Sequence, residues 1–369
     1  MPLSLHELIA QKAVAAGFST AGIARVPDPG SPEDIRERES FTSWVEQGNA
    51  GEMEYLKRRN DAGDLVRSSL RAAAPWAKSV IVCAASYHSD QPLSIHTAPE
   101  GAGWIARYAW TARQSGEGQT IPSDYHNVLL KRLQKLDASL HEHLGPFESK
   151  CYVDTGPLVE RVYARYAGIG WTGKNTCILN QKLGSWFFLG VILTSLEVPD
   201  HERASLAADR CGSCTRCIDA CPTGALTGPH QMDASRCISY LTIEKRGPLP
   251  MDLREAIGRQ IFGCDICQDV CPWNRKAPIA ADPEMIPRPE LVNPALGWLA
   301  ELSQEDFGRL FFGSPVKRAK FEGLRRNIAI AMGNSGRKEF LPKLREWASE
   351  SDAVLAESAE WAIRQIERS

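Results

Sequence analysis

Eight of the eleven cysteines fall into two sets whose spacing suits iron–sulfur chemistry. The first set reads C-x2-C-x2-C-x3-C-P from Cys211 to Pro222, as in bacterial ferredoxins, and a longer second set runs from Cys237 to Cys271 and Pro272. In such proteins the fourth cysteine of a run binds the other cluster. We therefore predict two [4Fe–4S] clusters, one bound by Cys211, Cys214, Cys217 and Cys271 and the other by Cys221, Cys237, Cys264 and Cys267.

A pair of zinc sites is the alternative, because zinc also accepts four thiolates. Zinc sites, however, use two separated C-x2-C pairs rather than a triple run that ends in C-P, so the spacing favours iron–sulfur clusters. Cys83, Cys151 and Cys177 stand in or beside apolar segments, and we expect them to be buried, inert thiols.

Local sequence signals predict three regions that would position these cysteines. In residues 1–205, a capping box at Ser4 and Glu7 and a long helix capped by Asp124 alternate with apolar strands at 21–26, 79–85 and 151–154, which predicts an α/β domain. Residues 206–278 are dense in cysteine, glycine and proline, as expected of a cluster domain. Residues 279–369 are helical, and two similar segments near their end predict a HEAT-type helix pair or two unrelated packing helices.

The bulk composition is that of an ordinary globular protein. A formal net charge of −2 gives no overall attraction to nucleic acid, so such binding would depend on local basic patches. The amino terminus has no secretion signal, and the longest apolar stretch, 186–193, is far shorter than the roughly 18 to 20 residues that cross a bilayer. We therefore expect a cytoplasmic protein without membrane segments.

Two further motifs fail in their context. Residues 168–175 satisfy G-x-G-x-x-G and nearly satisfy a phosphate-binding loop, but they follow a predicted helix at 157–167 and end in Asn175 rather than a hydroxyl residue. A tight turn that shapes a pocket is the better interpretation. Asp124 and His126 resemble the cobalt-ligating D-x-H-x-x-G motif, but Leu129 replaces its glycine, which favours a helix cap for Asp124.

Several longer strings resemble the epoxyqueuosine reductase family. They are VDTGPLVER (153–161), GWTGKNTCIL (170–179), GSWFFLG (184–190), CISYLTIEKRG (237–247) and FGCDICQDVCPWN (262–274). The resemblance implies a cobalamin-binding first domain, a ferredoxin-like two-cluster domain and a HEAT-like tail. It further implies a cytoplasmic oxidoreductase that completes queuosine biosynthesis by reducing epoxyqueuosine at the wobble position of tRNA, with cobalamin bound without a protein histidine on cobalt.

The same resemblance suggests roles for individual residues. Asp154 matches the proton donor, and we expect it in a pocket that excludes water and raises its pKa; a helix N-cap is the alternative. Cobalamin contacts are implied for Asp154, Arg59, Ser239 and Asp265, and a tRNA contact for Lys245, each of the last four with a solvated surface position as the alternative. Further basic residues that could contact tRNA are Lys57, Arg58, Arg246, Lys317, Arg318, Lys320, Arg325 and Arg326.

The resemblance is interrupted by a Gly, Ser and Gln-rich insert at 111–123, which we expect to be a surface loop. A reductive dehalogenase also combines a corrinoid with two clusters, but usually carries a twin-arginine export signal, which this sequence lacks. A non-catalytic electron-transfer module is a second alternative, and it leaves the strings at 153–161 and 170–176 without a purpose. The enzyme would need an external low-potential electron donor and is expected to be monomeric.

Overall fold

The computed structural model describes residues 3–114 and 120–368. The helices are α1 (Leu5–Ala15), α2 (Pro32–Glu46), α3 (Leu70–Ala73), α4 (Tyr125–Leu144), α5 (Glu160–Tyr166), α6 (Arg216–Asp219), α7 (Ile238–Ile243), α8 (Arg254–Ile257), α9 (Ile266–Asp269), α10 (Leu296–Ala300), α11 (Gln304–Leu310), α12 (Lys320–Ser335), α13 (Leu341–Ala348) and α14 (Ala353–Arg368). The strands are β1 (Thr20–Arg25), β2 (Ser79–Ser86), β3 (Trp104–Ile105), β4 (Thr111–Gln114), β5 (Thr120–Pro122), β6 (Ser149–Tyr152), β7 (Trp171–Thr172), β8 (Ile178–Leu179), β9 (Phe187–Thr194), β10 (Gln260–Phe262) and β11 (Ile286–Pro287).

A four-stranded sheet in the order β1-β2-β9-β6 forms the centre of the first region, and all of its pairings are antiparallel. Its side chains alternate between two cores. Ile81 and Cys83 of β2 pack with α1 and α4, whereas Val80 and Val82 pack with α5 on the other face. Because both faces are covered, all eight residues of β2 are buried, which explains why this strand is apolar throughout rather than at alternate positions.

The first and fourth helices follow their predicted signals. The Ser4 side chain accepts a hydrogen bond from the amide of Glu7, and the Glu7 carboxylate accepts one from the amide of Ser4. The capping box of α1 is therefore confirmed. Asp124 caps α4 by accepting from the amide of His126 at 3.0 Å, which is confirmed as well. The third predicted strand lies at Ser149–Tyr152, so Asp154 follows it rather than ending it.

The insert at 111–123 differs from the predicted surface loop. Its ends form an antiparallel pair, β4 and β5, and β11 joins the outer side of β4. Thr111 and Ala112 are buried, which a surface loop would not require. Residues 115–119 of the insert lie outside the described residues, so the correction applies to its two ends.

The carboxy-terminal helices and the second half of the cysteine region share one hydrophobic core. Ile238 and Leu241 of α7 and Phe262 of β10 pack with the buried faces of α12 and α14. β10 pairs in parallel with β3, which ties this core to the first region. The predicted helices at the end of the chain are confirmed as α12, α13 and α14, and their HEAT-type arrangement stays a prediction. No helix among the described residues is long and apolar enough to cross a membrane.

Candidate redox and proton-transfer site

The eight cysteines lie in two groups that cross between the two runs. The pKa of the Cys271 thiol is raised to about 11, first by burial and then by its neighbours Cys211 and Cys217. Burial also raises the pKa of Cys264, and the neighbours that add to it are Cys237 and Cys221. The structure therefore brings together Cys211, Cys214, Cys217 and Cys271 in one group and Cys221, Cys237, Cys264 and Cys267 in the other.

Short helices explain this crossing. Cys217 lies in α6 and Cys267 in α9, and the two helices contact each other. Each helix ends just before a Cys-Pro step, where proline cannot continue the helical hydrogen bonds. The chain therefore turns after each helix, and the fourth cysteine of each run comes to lie with the other group.

A buried donor shows that the first cysteine group suits an anionic cluster. Trp171 is 3% exposed, and its indole N–H has no oxygen or nitrogen partner but faces the Cys211 sulfur. A buried N–H without an acceptor is unfavourable, and a thiolate bound to iron would accept its hydrogen bond. The residues present therefore fit a [4Fe–4S] cluster at this group.

The other cysteines differ from one another. Cys83 is fully buried and burial raises its pKa far above the ordinary value, while the pKa of Cys151 is raised to about 12 by burial. These two agree with the prediction of inert thiols. Cys177 does not, because it shares a hydrogen bond with the cluster cysteine Cys267, and this contact lowers the pKa of Cys177 despite burial.

Asp154 stands on a loop between β6 and α5, with a left-handed backbone at φ 58°. Its amide donates to the Glu160 side chain at 2.9 Å. The helix that follows begins at Glu160 and its N-cap is Val159, so Asp154 is not a helix cap. A helix N-cap role is therefore excluded for Asp154. The hydrogen bond from the Asp154 amide to the Glu160 side chain holds the loop.

Three proton donors surround the Asp154 carboxylate. The Tyr125 hydroxyl donates to Oδ2, His126 Nε2 lies 3.3 Å from the same oxygen, and the Glu160 carboxyl shares a hydrogen bond with it. The other ring nitrogen of His126, Nδ1, lies 2.6 Å from Asp124 Oδ1. The imidazole therefore bridges two carboxylates, and neither of its nitrogens is free.

The pKa values of this cluster correct one expectation. Burial raises the pKa of Asp154, but the hydrogen bonds from His126 and Tyr125 outweigh burial and hold it below its ordinary value. The Asp154 side chain is also 46% exposed, so the expected water-free pocket is absent from this structure of the chain alone. The raised pKa belongs to Glu160, at about 8, because its half-buried carboxyl loses solvation and faces the negative charge of Asp154.

His126 carries the other proton of the cluster. Burial opposes a charged ring, but the hydrogen bonds to Asp124 and Asp154 outweigh it and raise the pKa of His126 to about 9. At neutral pH the Asp154 carboxylate is therefore ionised and is flanked by a protonated histidine and a protonated glutamate. Such an arrangement stores protons beside a carboxylate that can pass them on.

Asp265 lies on the cluster side of the same region. It is 2% exposed and accepts hydrogen bonds from Trp104 Nε1 at 3.0 Å and from the Arg107 amide at 2.7 Å, so a solvated surface position is excluded for it. Burial raises the pKa of Tyr108, and the negative charges of Asp265 and Asp154 raise it further. The half-buried Tyr108 ring lies 6.1 Å from the Tyr125 ring and 6.0 Å from the Phe262 ring, between centroids, so it stands between the proton-transfer residues and the chain next to Cys264.

Ser239 and Arg59 occupy different surroundings. Ser239 is half-buried in the first turn of α7, where its hydroxyl and amide face the Cys237 thiol. Arg59 is exposed, donates to the carbonyl of Gly63 at 2.7 Å and lies 3.7 Å from Glu46. The structure therefore brings Ser239 to the second cysteine group, and Arg59 makes its described contacts within its own loop and with α2.

Basic residues that are distant in sequence meet around Tyr55. Arg67 and Arg318 lie over the Tyr55 ring at 5.6 and 5.5 Å from its centroid. Arg318 also pairs with Glu244, next to Lys245, whose ammonium group is paired with Glu52. We call Tyr55, Arg67, Lys245 and Arg318 the Tyr55 surface. Lys245 and Arg318 belong to two of the predicted basic patches, which therefore meet there, and Arg67 was not predicted.

Two of the predicted tRNA-contacting arginines have partners inside the protein. Arg326 is 2% exposed and donates to the carbonyls of Leu241, Lys245 and Gly247, so it joins α12 to the chain after α7. Arg325 is bound by Glu350 in the helical tail. Arg326 is too deeply buried to contact a phosphate, so that interpretation is corrected for it, whereas a tRNA contact of Arg325 stays a prediction.

The fold and the paired cysteine groups define a two-cluster iron–sulfur oxidoreductase. A family model described as 4Fe-4S double cluster binding domain matches residues 210–274, and one described as epoxyqueuosine reductase QueG, DUF1730, matches residues 67–155. An epoxyqueuosine reductase from Xanthomonas campestris is 37% identical over 354 residues, which cover 95% of this chain and 93% of the relative. The chain belongs to the epoxyqueuosine reductase family.

Solved structures agree with this assignment. A crystal structure of epoxyqueuosine reductase with a tRNA-Tyr epoxyqueuosine-modified stem loop has a TM-score of 0.82 at 30% identity and covers 98% of this chain and 90% of its own. The enzyme from Bacillus subtilis, solved with an aspartate-bearing catalytic loop swung out of the active site, has a TM-score of 0.79 at 29% identity and the same coverages. The family resemblance predicted from the sequence is confirmed.

Sequence reasoning missed several residues of the site. Glu160 lies inside the string 153–161 that carried the family resemblance, and Tyr125 lies between two residues of the rejected D-x-H motif. Tyr108 lies just before the insert, where the resemblance weakens. None of the three has a local pattern that indicates chemistry, because their roles depend on contacts that form only on folding. Tyr125 and Glu160 contact Asp154, and Tyr108 packs against Tyr125.

Proposed function

We propose that this chain reduces epoxyqueuosine to queuosine at the wobble position of tRNA, with Asp154 as the residue that delivers protons. The observation that carries the proposal is the position of Asp154 beside Tyr125, whose ring packs against Tyr108. The Tyr108 ring also contacts Phe262, two residues before Cys264 of the second cysteine group. Electron supply and proton supply thus meet at one place. The Bacillus subtilis relative was solved with its aspartate-bearing catalytic loop swung out of the active site, and Asp154 stands on a loop between β6 and α5.

The reaction determines what the site must supply. Removing the epoxide oxygen to leave an alkene takes two electrons and two protons, and the oxygen leaves as water. Cobalamin and the two clusters, when bound, supply the electrons at low potential. The residues of this chain supply the protons and the binding surface.

The histidine geometry fits a corrinoid without a protein ligand on cobalt. His126 Nδ1 is bound to Asp124 and Nε2 to Asp154, so neither nitrogen is available to a metal ion. Of the residues implied to contact cobalamin, Asp265 and Ser239 are placed at the second cysteine group, and Asp154 faces it across Tyr108. We propose that these three residues hold the corrinoid between the proton-transfer residues and that cluster; Arg59 stays a prediction from the resemblance.

Asp154 passes protons that its neighbours store. When tRNA and cobalamin cover the site, water leaves the exposed side of Asp154, and loss of solvation raises the pKa of a carboxylate. A proton can then move from Glu160 or His126 to Asp154 and from there to the departing oxygen. The Asp124 carboxylate keeps the charged His126 ring in place.

The Tyr55 surface is the proposed tRNA contact. The positive charge of Arg67 lowers the pKa of Glu160 and that of Arg318 lowers the pKa of Tyr108, so the charges of this surface act on the proton-transfer region. Arginine and lysine bind the phosphates that position RNA, and an exposed aromatic ring can stack on an unpaired base of an anticodon loop. Lys245 would contribute once phosphate replaces its Glu52 partner.

Conversion of the modified tRNA tests the function. We expect anaerobically purified protein with cobalamin and a strong reductant to convert epoxyqueuosine to queuosine in tRNA, as measured by nucleoside mass spectrometry. Omitting cobalamin should abolish the product. Conversion at the same rate without cobalamin would contradict the proposed cofactor, and no conversion with all components would contradict the proposed substrate.

The pH dependence tests the proton store. Glu160 holds its proton below its pKa of about 8 and loses it above, so turnover should fall as pH rises through about 8. Glu160→Gln keeps an oxygen for the Asp154 amide but holds no acidic proton. We expect this variant to lose about tenfold in kcat at neutral pH and to lose that alkaline fall, a smaller effect than removing the acid itself.

The matched control is Glu160→Ala, which removes both the proton and the acceptor of the loop. If Glu160 only positioned the loop, Glu160→Gln would behave as wild type and Glu160→Ala alone would be impaired. A wild-type pH profile in Glu160→Gln would therefore contradict the proton store. The electron donor, the monomeric state, the cytoplasmic location and the domain boundaries at 205 and 278 stay predictions.

A further inference from the structure

The segment 168–177, which resembles a nucleotide-binding loop, is a tight hairpin instead. β7 pairs with β8 at Trp171–Leu179 and Thr172–Ile178, and five residues connect the two strands. A Cβ added to Gly170 would lie 2.0 Å from the carbonyl oxygen of Leu179, so only glycine allows this approach. The glycines of this segment therefore serve the backbone turn. Its polar side chains point to another role.

One end of this segment contacts the first cysteine group. The buried indole N–H of Trp171 faces the Cys211 sulfur, and the Lys174 amide is hydrogen-bonded to the same sulfur. The Lys174 ammonium group donates to the carbonyl of Gly212, the residue after that cysteine, at 2.6 Å. The Trp171 side chain and the amide and ammonium groups of Lys174 therefore all hold the segment against the first cysteine run.

The other end contacts the second cysteine group. The Cys177 thiol shares a hydrogen bond with the Cys267 thiol, and Asn175 Nδ2 donates to the carbonyl of Cys267 at 3.3 Å. Once Cys267 binds iron as a thiolate it can only accept, so Cys177 becomes the donor. The segment therefore offers one side-chain donor to each group, the buried Trp171 to the first and the half-buried Cys177 to the second.

We propose that the segment 168–177 sets the reduction potentials of both clusters, with Trp171 donating to the Cys211 sulfur and Cys177 to the Cys267 sulfur. Reduction adds negative charge to a cluster, and a hydrogen bond to a ligating sulfur stabilises that charge and raises the potential. Because both donors stand on one rigid hairpin, the two potentials are set relative to each other. The inference rests on the two clusters of the proposed function and on no step of tRNA chemistry.

Two substitutions separate the donors. In Trp171→Phe we expect the cluster of Cys211 to become harder to reduce, with the other cluster unchanged; in Cys177→Ala we expect the reverse. The measurement is a redox titration of the anaerobic, iron-loaded protein followed by electron paramagnetic resonance. A tenfold fall in the ratio of reduced to oxidised cluster at fixed potential, which is about 59 mV for one electron, is the expected size.

Three controls make the result decisive. Cys151→Ala removes a thiol from β6, away from both groups, and should change neither potential. Cys177→Ser and Trp171→His keep a hydrogen-bond donor, so the cluster potentials should stay near those of the wild type. They also provide the test if Trp171→Phe or Cys177→Ala loses iron. Unchanged potentials in both Trp171→Phe and Cys177→Ala, or equal shifts in Cys177→Ser and Cys177→Ala, would overturn the proposal. Because no tRNA is present, failure of turnover leaves this result intact.

Discussion

Asp154→Asn should slow the conversion of epoxyqueuosine by about 100- to 10,000-fold, the range that a positioned general acid contributes. The asparagine keeps the size of the side chain and an oxygen that can accept from Tyr125, so the loop should keep its shape. It cannot take up the proton held by His126 or Glu160, and the departing oxygen then has no donor. The measurement is nucleoside mass spectrometry of tRNA that has been treated anaerobically with the purified enzyme.

The design separates this loss from damage to the clusters. Asp154 stands outside both cysteine groups, so iron content and the resonance spectrum should remain those of the wild type. Thr155→Ala changes the exposed neighbour on the same loop and should leave turnover unchanged. Normal activity in Asp154→Asn would remove Asp154 from the proton-delivering role and would leave His126 as the remaining charged donor.

Cys271→Ala should destroy the cluster of the first cysteine run, although Cys271 belongs to the second run. Cys271 lies with Cys211 and Cys217, so its loss removes one of the four ligands of that cluster. Iron should fall from about eight to about four per chain, and electron delivery to the active site should stop. Iron analysis and electron paramagnetic resonance measure the two effects.

Matched variants test the crossing. Cys211→Ala should remove the same resonance signal as Cys271→Ala, whereas Cys221→Ala and Cys264→Ala should both remove the other signal. If Cys271→Ala removed the signal that Cys264→Ala removes, each run would bind its own cluster and the grouping would be wrong. The same variants assign the two signals that the titrations of Trp171→Phe and Cys177→Ala require.

Local signals account for what was predictable in the fold. The capping box of α1 and the Asp124 cap of α4 depend on residues three positions apart or fewer, and both are found as predicted. The central strand β9 was not predicted, because a short, continuous apolar run fits a buried strand and a buried helix equally well. Its place between β2 and β6 depends on pairing across the chain, which no local pattern encodes.

The candidate site, like the fold, could be predicted only in part from the sequence. Cysteine spacing indicated the clusters and their crossing, because ligand geometry restricts where thiolates stand in sequence. The family resemblance pointed to Asp154, but not to its lowered pKa, which results from His126 and Tyr125 on another element. Cys177 was interpreted as inert because its partner, Cys267, is ninety residues away in sequence.

A single-turnover experiment tests the central claim most directly. The cobalamin-loaded protein is fully reduced, freed of reductant and mixed anaerobically with an excess of epoxyqueuosine-containing tRNA. Because the two reduced clusters hold two electrons and the reduced corrinoid holds at least one more, we expect at least one queuosine per protein molecule without further donor. Protein that holds zinc in place of iron, or reduced protein that forms no queuosine, would contradict it.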